Sequence, residues 1–184
     1  MDTAKTPRIL RYSYADIHTT VKSLAGRIQA AGFQTDLIVA IGSGGFIPAR
    51  IMRTYIKKPI LTVGIALYLD DKTTLPEPKK IQWIDEAEQQ LAGKRILLVD
   101  EVDDTRTTLA YCIAELLRHQ PAELAVVLLH NKRKPKRGSI PAEVKLYLAG
   151  EDIEDCWIQY PWDAQDIVTH EAAVLQDKQG PAVQ

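Results

Sequence analysis

Arg95-Ile-Leu-Leu-Val-Asp-Glu-Val-Asp-Asp-Thr-Arg-Thr-Thr-Leu109 is an apolar run that stops at acids and hydroxyls. Ile96 to Val99 reads as a buried strand that ends in the acidic pair Asp100-Glu101. Asp104 then introduces Thr105, Thr107 and Thr108, after which Leu109, Cys112, Ile113, Leu116 and Leu117 recur at helical spacing. A strand that turns into a helix through such residues presents N–H groups and hydroxyls to a phosphate. Its carboxylates suit sugar hydroxyls or a metal.

A second turn of this kind lies upstream. Leu37-Ile-Val-Ala-Ile41 reads as a buried strand that runs into Gly42-Ser43-Gly44-Gly45, and Phe46 to Tyr55 then reads as a helix with Pro48 in its first turn. Small residues allow a ligand to approach closely, and consecutive amides can cradle a phosphate or pyrophosphate. The run is neither GxGxxG nor a P-loop, because the third glycine and the Lys-Ser/Thr ending are missing. Arg50 and Arg53 read as a solvated helix face before they read as anion contacts.

The remaining chain extends the pattern. Ser13 and Asp16 form a capping-box variant before the helical set Ile17, Val21, Leu24, Ala25 and Ile28, and Gly32 can stop that helix. Ile60 to Leu69, Leu124 to Leu129 and Val144 to Leu148 read as strands, and Gly93-Lys94 as a turn. Asp70 to Lys80, with Pro76 and Pro78, reads as a mobile loop, and the polar tail from Asp177 as frayed. Alternating strands and helices predict an α/β fold: a mostly parallel twisted sheet with helices on both faces, forming a single domain over 1–184. Both turns fall at strand C-termini, where such sheets bind ligands.

With 184 residues and 46% hydrophobic composition, the chain suits one core. A net charge of -1 argues against nucleic-acid or anionic-membrane binding. No apolar run is long enough to span a bilayer, and Met1 to Pro7 lacks the apolar core of a secretory signal. Cys112 and Cys156 are the only cysteines, with no zinc spacing. A reduced protein of the cytoplasm is expected.

Val99 to Thr108 resembles the binding motif of type I phosphoribosyltransferases, in which two acids and a spacer precede Asp-Thr-Gly-x-Thr. The likeness is to the 6-oxopurine branch, above all fungal hypoxanthine-guanine phosphoribosyltransferases, with some similarity to microbial xanthine-guanine enzymes. Ile38 to Arg50, Gln82-Trp-Ile-Asp85, His130-Asn-Lys-Arg-Lys-Pro135 and Trp157-Ile-Gln-Tyr-Pro-Trp-Asp163 follow in family order.

The resemblance implies that Gly42, Ser43, Gly44, Gly45, Asp100, Glu101, Asp103, Asp104, Thr105, Arg106, Thr107 and Thr108 bind phosphoribosyl pyrophosphate. Asp100 and Glu101 would hold the ribose hydroxyls and, with Asp163, tune the shell of a Mg2+ ion through ligand or water. Asp104 would be the catalytic group near purine N7. Lys132 would donate to O6, Trp157 would stack on the base, Ile158 would touch it with backbone and side chain, and Asp163 would lie toward its 2-substituent. The other four cations of Lys132 to Arg137 read as a solvated face, and Trp162 as a core residue.

The implied substrates are hypoxanthine and guanine, with xanthine as an alternative, and the products are IMP and GMP. A regulator that only binds the sugar phosphate is the competing class. The type I fold would carry a base-binding hood near 150–165 and a flexible loop near 68–82, with Trp83 holding one end of that loop. A homodimer is implied. The chain departs from the pattern twice: Ser43 stands where many relatives carry Lys or Arg, and Arg106 where many carry glycine.

Overall fold

Successive residues of the central strands are buried on opposite sides of one sheet. In β2 (Leu37–Gly42), Ile38 and Ala40 join one apolar layer, while Leu37, Val39 and Ile41 join the other. β5 (Arg95–Asp103) and β6 (Glu123–Arg133) divide in the same way. Burial on both faces requires helices on both. α1 (Tyr14–Ala30) and α2 (Phe46–Ile56) cover the first, and α3 (Ala87–Leu91) and α4 (Thr107–Leu117) the second. Each Leu or Ile so buried contributes about 2 kcal/mol of transfer free energy.

This computed structural model describes residues 9–68 and 74–179. With β3 (Ile60–Tyr68), β4 (Thr74–Gln82) and β7 (Val144–Glu154), the sheet order is β4-β3-β2-β5-β6-β7, parallel except for β4. The chain leaves β2 through α2 toward one edge and leaves β5 through α4 toward the other. A crevice opens where these directions diverge, at the C-terminal ends of β2 and β5. Both turns singled out in the sequence border it.

Thr74–Gln82 is a strand, where composition predicts an open loop. It pairs antiparallel with β3 as the outermost strand, satisfying an otherwise bare sheet edge. An edge strand tolerates prolines, and Pro76 and Pro78 fall where the pairing shifts register, between Lys79 and Thr74. Residues 69–73 of the expected loop lie outside the described residues. Trp83 packs against the second apolar layer, with the Lys80 ammonium 5.0 Å from its ring centre.

β6 and β7 continue past Leu129 and Leu148, because they stay paired as far as Lys132↔Ile153 and Arg133↔Glu154. Lys132 therefore lies on the strand. β1 (Ile9–Arg11) pairs in parallel with β8 (Trp157–Gln159), which brings β1 beside the segment expected to form the hood. The tail is not frayed at Asp177. Residues 177–179 belong to α5 (Ile167–Gln179), where Asp177 accepts from Arg11 at 3.0 Å and Lys178 donates to Asp16 at 2.6 Å, and the rest of the expected tail lies outside the described residues. Only His170 and Val174 of α5 are buried, so the helix carries little apolar periodicity. No helix among the described residues is long and apolar enough to cross a membrane.

Ser13 caps α1. Its Oγ accepts from the Asp16 N–H at 3.1 Å, and the Asp16 carboxylate accepts from the Ser13 N–H at 2.9 Å. Ser13→Ala is expected to cost about 1 kcal/mol of unfolding free energy, measured by urea denaturation.

Candidate active site

The end of β5 and the start of α4 line a cleft of about 290 Å³ with residues 100–109, faced by 41–44 from the first turn. Its four acids have different partners. Asp100 is buried and accepts from the Glu101 N–H at 2.9 Å. Burial, then the neighbouring Glu101 and Asp103 carboxylates, push its pKa well above the usual range. Among the described residues, no lysine or arginine forms an ion pair with Asp100 or Glu101. Asp103 and Asp104 are each met by cations.

Asp104 stands opposite Lys132 and Lys134. The Lys132 ammonium lies 3.5 Å from its Oδ1 and the Lys134 ammonium 2.9 Å, at ion-pair distance but without hydrogen-bond geometry. Partial burial raises the Asp104 pKa, but the two ammonium groups outweigh it and hold the carboxyl below its ordinary value. Lys134 also donates to Asp155 at 2.9 Å. Lys136 donates to the Asp103 and Asp104 carbonyls at 2.7 and 2.8 Å. Lys134 and Lys136 thus face the site, whereas composition predicts a solvated run. Strand pairing and the loop beyond β6 turn alternate cations inward, which composition cannot register.

Asp103 is expected at the ligand, yet its side chain has 0% exposure. Tyr147 donates to Oδ2 at 2.7 Å, and Arg106 Nε donates to the same oxygen at 2.8 Å. Arg106, expected among the phosphoribosyl pyrophosphate-binding residues, directs its guanidinium to Asp103 in this structure. Its guanidinium folds back over Asp103 and the Tyr147 ring. Its backbone has φ 67°, a left-handed conformation that glycine adopts without steric cost and arginine does not. Thr105 and Thr107 share a hydroxyl contact of 3.0 Å within the cleft, and Thr108 lines it.

In the first turn, Ser43 is exposed and the Gly42–Ser43 peptide is cis. A Cβ on Gly44 would collide with the Glu101 carboxylate, so the bare backbone lets the two turns touch. Gly45 is buried and does not line the cleft. A Cβ there would lie 2.6 Å from both the Ile41 and Val99 carbonyls, so its role is to join the two strand ends. Arg50 and Arg53 are exposed, as the solvated reading expects.

Of the residues expected at the base, Trp157 is 66% exposed, an unusual state for so large an apolar surface. Ile158 buries its side chain in the core, so it has only backbone to offer a ligand. Trp162 packs against that core and stacks on Tyr160 at 4.6 Å, as expected of a core residue. Asp163 is exposed in a 3-10 turn (Pro161–Asp163). Trp157, Ile158, Asp163 and Lys132 do not border the 290 Å³ cleft. No three Asp, Glu, His or Cys side chains among the described residues converge as a metal site, so Asp100, Glu101 and Asp163 form no ready cage.

Sequence reading missed His130. It is buried, with Nδ1 2.8 Å from the Tyr160 hydroxyl, which itself donates to the Glu101 carbonyl at 3.2 Å. With that hydroxyl proton committed, His130 is the donor to Tyr160. Nothing in the local sequence marks the residue, which lies in an apolar strand.

A phosphoribosyl transferase domain model matches residues 13–162. Hypoxanthine-guanine phosphoribosyltransferase of Schizosaccharomyces pombe is 42% identical over 199 residues, covering 92% of this chain and 96% of that protein. Xanthine phosphoribosyltransferase 1 of Saccharomyces cerevisiae is 37% identical over 190 residues, covering 86% and 91%. A Neisseria gonorrhoeae protein whose crystal structure holds bound ppGpp has a TM-score of 0.85 and 43% identity, covering 92% and 97%. The chain belongs to the phosphoribosyltransferase family. Within that class it is an enzyme similar to the hypoxanthine-guanine type.

Burial pushes the His130 pKa down from 6.5 to about 4. The folded state therefore resists a proton that the unfolded chain accepts. Its stabilisation is complete above pH 6.5 and is lost as the pH falls toward 4. Urea unfolding is expected to lose about 3 kcal/mol across that window through His130. His130→Gln should flatten that part of the profile.

Proposed function

We propose that the protein transfers the 5-phosphoribosyl group of phosphoribosyl pyrophosphate to N9 of hypoxanthine or guanine, giving IMP or GMP and pyrophosphate. The observation that carries this reading is the 3.5 Å pair of the Lys132 ammonium and the Asp104 carboxylate, beside a hydroxyl-rich turn. A 6-oxopurine presents O6 next to N7 on one edge. An adjacent donor and acceptor match that edge when N7 carries its proton. Adenine would turn an amino group toward the ammonium and be rejected.

The other residues follow from their chemistry. Thr105, Thr107 and Thr108 hold the 5-phosphate with hydroxyls and with amides at the start of α4. Gly42, Ser43 and Gly44 grip the pyrophosphate through backbone amides. Asp100 and Glu101, which no ammonium among the described residues neutralises, suit the ribose hydroxyls, and with Asp163 they suit the hydration shell of a ligand-borne cation. Mg2+ carried by the sugar donor would neutralise the leaving pyrophosphate.

As the N9–C1 bond forms, the C1–O bond to pyrophosphate breaks, and the purine N7–H proton passes to the Asp104 carboxylate, which releases it to solvent. Asp104, ionised at neutral pH, accepts the hydrogen bond at N7 and offsets positive charge on the ribose ring. Trp157 stacks on the base and Ile158 meets it with backbone groups.

The yeast xanthine enzyme supports xanthine as the alternative base. The relative with bound ppGpp supports a guanine-nucleotide ligand, which favours the competing regulator reading. With phosphoribosyl pyrophosphate and Mg2+, pyrophosphate release is expected for hypoxanthine and guanine and not for adenine. Faster turnover of xanthine would favour the alternative. No release with any purine would defeat the salvage reading and leave nucleotide binding. Lys132→Ala is expected to raise KM for the purine by about tenfold or more while leaving KM for phosphoribosyl pyrophosphate within about twofold. Equal loss of both would remove Lys132 from the base pocket. The implied homodimer is checked by solution mass.

A further inference from the structure

We propose that buried Asp103, acting through Arg106, Tyr147 and Lys136, is a positioning device that holds the 105–108 turn in its phosphate-ready shape. This rests on the reading of that turn as the 5-phosphate site. The left-handed backbone of Arg106, φ 67°, begins α4, and no side chain caps that helix end. Glycine adopts this conformation freely, while an arginine needs something to hold it there.

What holds it is behind the loop. The guanidinium reaches Asp103 Oδ2 through Nη2 at 2.6 Å and through Nε at 2.8 Å. It also lies 5.2 Å from the Tyr147 ring centre, and the Tyr147 hydroxyl donates to the same carboxylate oxygen at 2.7 Å. Lys136 stands 3.4 Å from Oδ1 and ties down the carbonyls of Asp103 and Asp104. The following loop is pressed against the same turn: the Arg137 N–H donates to the Thr105 carbonyl at 2.9 Å. A Cβ on Gly138 would come within 2.9 Å of the Arg106 carbonyl.

Carbonyls and charges are therefore spent on the rear of the turn, and its threonine hydroxyls are left on the cleft side. The guanidinium acts through the backbone, so Arg106 is a positioning residue whose side chain need not touch phosphate.

Replacing Arg106 with Ala or with Gly separates this role from direct phosphate binding. Both variants lose the guanidinium, but only glycine relieves the left-handed backbone. Calorimetric titration with phosphoribosyl pyrophosphate and Mg2+ reads the turn without needing purine turnover. Arg106→Gly is expected to bind about tenfold more tightly than Arg106→Ala. Asp103→Asn should weaken binding by about tenfold in the native background and by less than about threefold beside Arg106→Gly. In turnover, the Asp103→Asn loss should appear in KM for the sugar donor and not for the purine.

Equal affinities for Arg106→Ala and Arg106→Gly would overturn the device and make the guanidinium a phosphate ligand. If Asp103→Asn fails to fold, the Arg106 pair still decides the matter. Absence of donor binding by the unaltered chain would overturn the functional reading together with the device. Donor binding without purine turnover would defeat only the transfer reaction.

Discussion

The two ligand-facing turns meet because Gly45 has no side chain. The Ile41 and Val99 carbonyls, at the ends of adjacent strands, occupy the space that a Cβ would need. Any larger residue would wedge β2 from β5, which hydrogen-bond only as far as Ala40↔Val99. Gly44 repeats the constraint one residue earlier, where its bare backbone lies beneath the Glu101 carboxylate. The cleft is a consequence of this close approach. One strand end contributes amides without side chains, and the other contributes acids and hydroxyls.

The charges then divide by position. Asp103 and Asp104 are neutralised from the β6 side by Lys132, Lys134 and Lys136 and from within the turn by Arg106. Asp100 and Glu101 lack such partners among the described residues, and burial pushes the Asp100 pKa up. Repulsion between those two acids is the natural counterpart of a ligand that brings hydroxyls and a cation. The His130–Tyr160–Glu101 chain links the end of β5 to β6 and to the residue that follows β8 by hydrogen bonds.

Much of this was legible before folding. The strand-to-helix turns, the Ser13 cap and the buried central strands follow from local patterns of polarity, and local patterns survive into structure because a strand or helix obeys its own periodicity. The weak signals belong to α5, which buries only two residues, and to β1, which is three residues long. Both are held by partners more than a hundred residues away, through Lys178 and Asp16 and through Ile9 and Trp157. Thr74–Gln82 is a strand for a related reason: the edge of β3 needed a partner, and its prolines are tolerated there.

By itself, the order of residues determined an α/β sheet, two phosphate-type turns at strand ends, and a chain of family motifs. Through family resemblance it named Asp104, Lys132 and Trp157 as candidate site residues. Tertiary structure alone decided that Asp103 turns inward, that Arg106 grips it, that Lys134 and Lys136 face the turn, and that Ile158 spends its side chain on the core. The reason is physical. Residue type and spacing specify which groups are available, but the direction of a side chain depends on which distant surface is packed against it.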